Sequence, residues 1–161
     1  MNSSNVRQYL EQISSMTKDS NFKSLESFIL EKGESFDSEK YPAKYQSWRG
    51  KMKDCFKNAF WLAIENEDLT YVEGYALSII PVLHAWCVDK QNRVIDPTWP
   101  DQENCQYYGV KFEKEFVRKF ITKSKIYGLL GGDWRSAREI IENKQEFHQA
   151  IISKKLKKIK L

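Results

Sequence analysis

The 161-residue sequence predicts a single α+β domain. Three observations lead there. Apolar residues recur at helical spacing near both ends of the chain and again over 54–66. Between 70 and 112 they give way to runs of β-branched and aromatic residues. Gln91-Asn92 then sits between two of those runs as a hairpin turn, which makes the sheet antiparallel.

Residues 4–16 and 20–32 read as two helices. In the second, Phe22, Leu25, Phe28 and Ile29 fall on one face, and Gly33 suits a helix end. The stretch 34–50 is polar and aromatic and is interrupted by Pro42 and Gly50, so it reads as a loop. Residues 54–66 form the clearest helix, with Phe56, Ala59, Phe60 and Ala63 making one buried stripe. Asp54 suits the N-cap, which puts Cys55 in the first turn. At about 100° per residue, Cys55 lies only about 40° from Ala59 and points to whatever the helix packs on. Strands are predicted over 70–77, 82–89 and 93–96, with a shorter one over 107–112. Helical patterns return over 114–122 and 134–151, the last separated by Gly131-Gly132-Asp133 with Asp133 as its cap. The domain therefore spans 1–152, and 153–161 is a basic tail.

The formal charge of +4 is smaller than the contribution of Lys154, Lys155, Lys157, Lys158 and Lys160 alone, so the body is close to neutral. A nucleic-acid-binding face is therefore not expected, except through the tail. That tail, with Ile151, Ile152, Leu156 and Ile159, reads either as an amphipathic surface element or as a solvated helix end. No run approaches the roughly 18 apolar residues of a membrane span. The polar start at 1–12 lacks the apolar run of a secretory signal. Three cysteines without a disulfide spacing point to a reducing, cytoplasmic compartment.

The candidate chemistry is that of a nucleophilic cysteine. Such a thiol needs stabilisation as thiolate, a base within hydrogen-bond reach and a third group to orient that base. Cys55, at a helix start and near Lys51, Lys53 and Lys57, meets the first need. The base must be His84 or His148, the two histidines of the chain. Strand alternation puts His84, Trp86 and Val88 on one face and Leu83, Ala85 and Cys87 on the other. The hairpin then returns to Asp96, whose carboxylate can fix the imidazole tautomer, while Trp86 can keep water off the pair.

Four blocks in this order resemble a known family. Asp54-Cys55-Phe56-Lys57-Asn58-Ala59, Tyr71-Val72-Glu73-Gly74-Tyr75-Ala76, His84-Ala85-Trp86 and Val94-Ile95-Asp96-Pro97-Thr98-Trp99 are similar to the transglutaminase-like cysteine-enzyme core. The resemblance covers about residues 54–99 and looks most like the small microbial or phage members. It implies a papain-like arrangement, with the Cys55 helix packed on an antiparallel sheet. It also implies Cys55 as nucleophile, His84 as general base then acid, and Asp96 as the orienting carboxylate. The glutamine-glycine block that precedes the cysteine in papain is absent here. Gln46 and Trp48, with Tyr45, stand upstream of Cys55 as oxyanion-hole or substrate candidates.

Each residue also has an ordinary structural reading. A lone cysteine is usually a buried small hydrophobe, a strand histidine a satisfied core residue, and an aspartate before proline a turn residue. It is their order and context that favour a site. Cys87 reads as core, Cys105 as loop and His148 as helix surface. A zinc site from Cys55, His84, Cys87 and Cys105 is disfavoured because alternation splits His84 from Cys87 and the paired-cysteine spacing is missing. Asn58 and Glu73 are substrate-contact candidates whose ordinary roles are capping and solvation, and Trp99, Tyr107 and Tyr108 read as core. The expected function is a cysteine-dependent hydrolase or acyltransferase acting on an amide bond of a protein or peptide, without metal or cofactor. Arylamine N-acetyltransferases share the triad order, so a small-molecule acyl donor is a second expectation. An inactive binding protein on the same scaffold is the third.

Overall fold

The computed structural model of the chain describes residues 5–142, 147 and 149–152. Five α-helices occur among them: α1 (Val6–Met16), α2 (Leu25–Lys32), α3 (Cys55–Glu65), α4 (Lys114–Ser124) and α5 (Trp134–Ile141). The strands β1 (Glu34–Phe36), β2 (Thr70–Leu77), β3 (Pro81–Val88), β4 (Val94–Ile95) and β5 (Gln106–Phe112) form one antiparallel sheet in the order β1-β5-β2-β3-β4. The fold is α+β. No described helix is long and apolar enough to cross a membrane.

Strand alternation divides the sheet into two faces. On one, Tyr71, Tyr75, Ala85, Cys87, Val110 and Phe112 join the main core with Ala59, Phe60, Leu62 and Ala63 of α3. Each large side chain buried there contributes about 1.5–3 kcal/mol. On the other, Val72, Ala76, Trp86, Val88 and Tyr107 form a smaller cluster with Phe36 and Cys105, against which Trp99 packs. Glycines make room for it. Gly74 lies between His84 on β3 and Gly109 on β5. A Cβ on Gly109 would stand 2.7 Å from Cη2 of Trp86, so the missing side chain leaves the space the indole occupies.

Several expectations require correction. Phe22 is not on the buried face of a helix; it is 61% exposed, ahead of the Ser24 cap of α2, with the Arg138 guanidinium over its ring. Ser24 ends the helix pattern because its hydroxyl accepts the Ser27 N–H. Gly33 does end α2, but in extended backbone; it is needed because a Cβ would lie 2.7 Å from the Gly109 carbonyl oxygen of β5. The 34–50 stretch is not all loop: it holds β1 and a 3-10 segment, Ala43–Trp48. Asp54 stands at the N-cap position of α3 but makes no side-chain capping bond. Phe56 is half-buried rather than fully within the stripe. The last helix stops at Ile141 instead of running to 151. There Ile151 bridges Phe112 instead, and the Ile152 N–H donates to the Lys111 carbonyl. Asp133 does cap α5, accepting the Ser136 N–H. His148 and the 153–161 tail lie outside the described residues.

Candidate active site

The β3–β4 turn is built by Asp89, whose carboxylate accepts the Gln91 and Arg93 N–H groups while Asn92 takes a left-handed φ of 60°. β4 pairs only with Cys87 and Val88, so the chain leaves the sheet just as it reaches Asp96. That leaves the His84 stretch of β3 without a strand partner on this side among the described residues. The loop after Ile95 takes that place.

Asp96 is fully buried, and all four of its carboxylate bonds are with this neighbourhood. Oδ1 accepts the Thr98 and Trp99 N–H groups at 2.8 and 3.2 Å. Oδ2 accepts His84 Nε2 at 2.7 Å and the Tyr107 hydroxyl at 2.8 Å. The backbone around it is held by Gln102, another fully buried side chain. Its Oε1 accepts the Asp96 N–H at 2.7 Å, and its Nε2 donates to the Glu39 and Val94 carbonyls at 2.6 and 2.8 Å.

His84 is 2% exposed, with the Trp99 ring 4.4 Å from its own on one side and Trp86 6.3 Å away, nearly parallel. The Trp86 indole N–H, also buried, has no hydrogen-bond partner among the described residues. Burial alone would lower the imidazole pKa. The negative charge and hydrogen bond of Asp96, together with the Cys55 thiol as the ring's second polar partner, outweigh it and raise the value to about 9. Nε2 faces Asp96, so Nδ1 is the nitrogen not taken up by that bond.

Cys55 is the first residue of α3 and is 8% exposed. Its helix start is fastened to the Asp96 loop by hydrogen bonds from Gly50, Asn58 and Arg49, and a further one, from Asn58 to Lys51, ties the helix to the segment before it. The Gly50 N–H donates to the Pro97 carbonyl at 2.9 Å, and Asn58 Nδ2 donates to Thr98 Oγ1 at 3.0 Å and to the Lys51 carbonyl at 2.9 Å. Arg49, stacked 3.8 Å over the Tyr41 ring, donates to the Trp99 carbonyl at 2.7 Å. A Cβ on Gly50 would collide with the Asn58 amide and push it off Thr98 and Lys51.

Cys55, His84, Asp96 and Trp86 thus lie in one neighbourhood, and Asn58 braces the helix start. Gln46 is exposed, and its carbonyl accepts the Arg49 N–H. Trp48 packs half-buried against the helix-side core. Cys87 faces away from His84, its thiol donating to the Ala59 carbonyl at 3.2 Å, and burial pushes its pKa well up. Cys105 is buried too, and its pKa is raised by that burial. Among the described residues no group of three or more His, Cys, Asp or Glu side chains is arranged to hold a metal ion. Sequence reasoning missed Tyr107, Gln102, Arg49 and Thr98 as site partners. Trp99 is a half-buried cover on His84 rather than core. Glu73, expected to be solvated, is fully buried.

Compared with protein-family models, curated proteins and solved structures, the chain gives no match.

Proposed function

We propose that this chain is a cysteine-dependent acyl-transfer enzyme of the transglutaminase-like type, with a papain-like arrangement of helix and sheet. Its substrate is an amide bond in a protein or peptide. One observation carries the reading: the buried His84 ring is held by Asp96 Oδ2 at 2.7 Å, with the Cys55 thiol near enough to help raise its pKa. An imidazole raised to about 9 is protonated at neutral pH, which puts a positive charge and a transferable proton beside the Cys55 sulfur at a helix start.

The Cys55 sulfur attacks the amide carbonyl carbon, and the C=O π pair moves onto oxygen. The backbone N–H of Cys55, unpaired within the first turn of α3, can hold that oxyanion. As the tetrahedral intermediate collapses, the C–N bond breaks and His84 gives its proton to the leaving amine. A thioester remains on Cys55. Water then attacks it, His84 takes the water proton, the carboxylic acid leaves, and the thiolate–imidazolium pair is restored. An amine in place of water gives acyl transfer by the same residues. Three unpaired cysteines suit a reducing, cytoplasmic compartment.

The test is acyl-enzyme trapping. The full chain is incubated with peptide amides, glutaminyl peptides and acetyl-CoA, acid-quenched, and weighed intact beside Cys55→Ala. A mass gain equal to the acyl group in the unaltered chain alone supports the proposal and identifies the donor. Equal gains in both proteins would contradict it.

A further inference from the structure

Among the described residues, the chemistry above leaves one buried carboxylate unused. Glu73 of β2 is 0% exposed and points to the helix side of the sheet, between Tyr71 and Tyr75 of the main core. Its Oε1 accepts the Leu129 N–H at 2.5 Å and the Tyr71 hydroxyl at 2.8 Å. Its Oε2 accepts the Leu130 and Gly131 N–H groups at 2.8 and 3.2 Å. Successive N–H groups converging on one anion form a nest, and here the anion is a side chain of the sheet. Burial pushes the Glu73 pKa up, and the four donors only partly reverse this. The carboxylate is therefore a costly tether where an apolar side chain would only fill space.

What it tethers lies against the start of α3. Gly128, with φ of 99°, and Gly131 both press on the Phe56 ring. A Cβ on Gly131 would lie 2.1 Å from Phe56 Cζ, and one on Gly128 would lie 3.0 Å from Cδ1. Tyr127, just before, accepts the Trp61 indole N–H at 3.1 Å and lies under Lys57. Phe56 follows Cys55 directly. The first turn of α3 is thus held on one flank by the Asp96 loop and on the other by this glycine segment.

We propose that Glu73 is a positioning residue for Cys55: by holding the N–H groups of Leu129, Leu130 and Gly131, it fixes the segment that seats Phe56 and thereby sets the thiol against His84. This rests on Cys55 being the nucleophile.

The test uses the full-length chain and Glu73→Gln, with two readouts. One is hydrogen–deuterium exchange of the peptide containing residues 55–58. The other is the pH profile of Cys55 carbamidomethylation by iodoacetamide. With far-UV circular dichroism unchanged, Glu73→Gln is expected to speed exchange in the first turn of α3. It should slow Cys55 alkylation at pH 6 by about tenfold or more, within the ~10²-fold that an ångström of misplacement costs. Faster exchange confined to 128–132, with the Cys55 rate and profile unchanged, would overturn the proposal. Gly131→Ala provides the second variant, since it keeps Glu73 and displaces the Phe56 ring. It is expected to show the same loss, and it decides the matter if Glu73→Gln does not fold; an unchanged rate overturns the proposal. If Cys55 of the unaltered chain is itself slow, the nucleophile reading fails. The exchange result at 55–58 then still decides whether Glu73 seats the helix start.

Discussion

Tyr107 and His84 bond the same oxygen of Asp96, at 2.8 and 2.7 Å. The phenol is a neutral donor, and its hydrogen bond takes up part of the carboxylate charge that would otherwise act on the imidazolium. Tyr107→Phe should therefore raise the His84 pKa above about 9. It should also cost about 2 kcal/mol, the worth of a buried hydrogen bond to a charged group. Imidazole ¹⁵N NMR titration and urea unfolding measure the two effects; an unchanged titration would contradict the charge-sharing role.

Stability should fall as pH rises from about 6.5 to 9. His84 is raised in the folded state from 6.5 to about 9, so its stabilising contribution is complete below 6.5 and is lost as pH passes through 9. The full shift corresponds to about 3 kcal/mol as an upper bound. Urea midpoints across this range should drop in the unaltered chain and drop less in His84→Gln. Parallel slopes for the two proteins would refute the assignment.

Gln102→Ala should be among the most damaging single changes. It would leave the Asp96 N–H and the Glu39 and Val94 carbonyls without the bonds they now make. At about 1–3 kcal/mol for each unsatisfied buried group, partly relieved by water, a loss of about 3–5 kcal/mol is expected in urea unfolding. A loss under 1 kcal/mol would show that Gln102 does not hold the loop.

Gly109→Ala tests the Trp86 recess. The added methyl would stand 2.7 Å from the indole Cη2 and from the Glu73 carbonyl oxygen, neither of which is a flexible side-chain end. A loss of about 1–3 kcal/mol is expected, with an altered near-UV circular dichroism band as Trp86 shifts. An unchanged band with unchanged stability would mean that the sheet opens easily there.

How much of this was legible in the sequence follows from the range of each interaction. Cys55 in the first turn of α3 and His84 opposite Cys87 across β3 depend on local periodicities, and both could be read directly. Asp96 follows from a short hairpin with a visible turn. Tyr107, Gln102 and Arg49 reach the site only through strand order and loop crossings, and no spacing encodes that β5 lies beside β2. Phe22 and Ile151 continue a helical pattern in composition. Ser24 caps α2 only after Phe22, and Ile151 pairs with Phe112, so tertiary context overrides the pattern at both. Glu73 misleads for the same reason: a charged residue in a strand is ordinarily solvated, and its partners at 129–131 are over fifty residues away.

The most direct test of the nucleophile is its alkylation rate. Iodoacetamide labelling at pH 6, read by peptide mass spectrometry, should modify Cys55 roughly tenfold or more faster than glutathione under the same conditions, and faster than Cys87 or Cys105. His84→Ala should abolish the advantage. A Cys55 that labels no faster than glutathione, or just as fast without His84, would contradict a thiol activated by that imidazole.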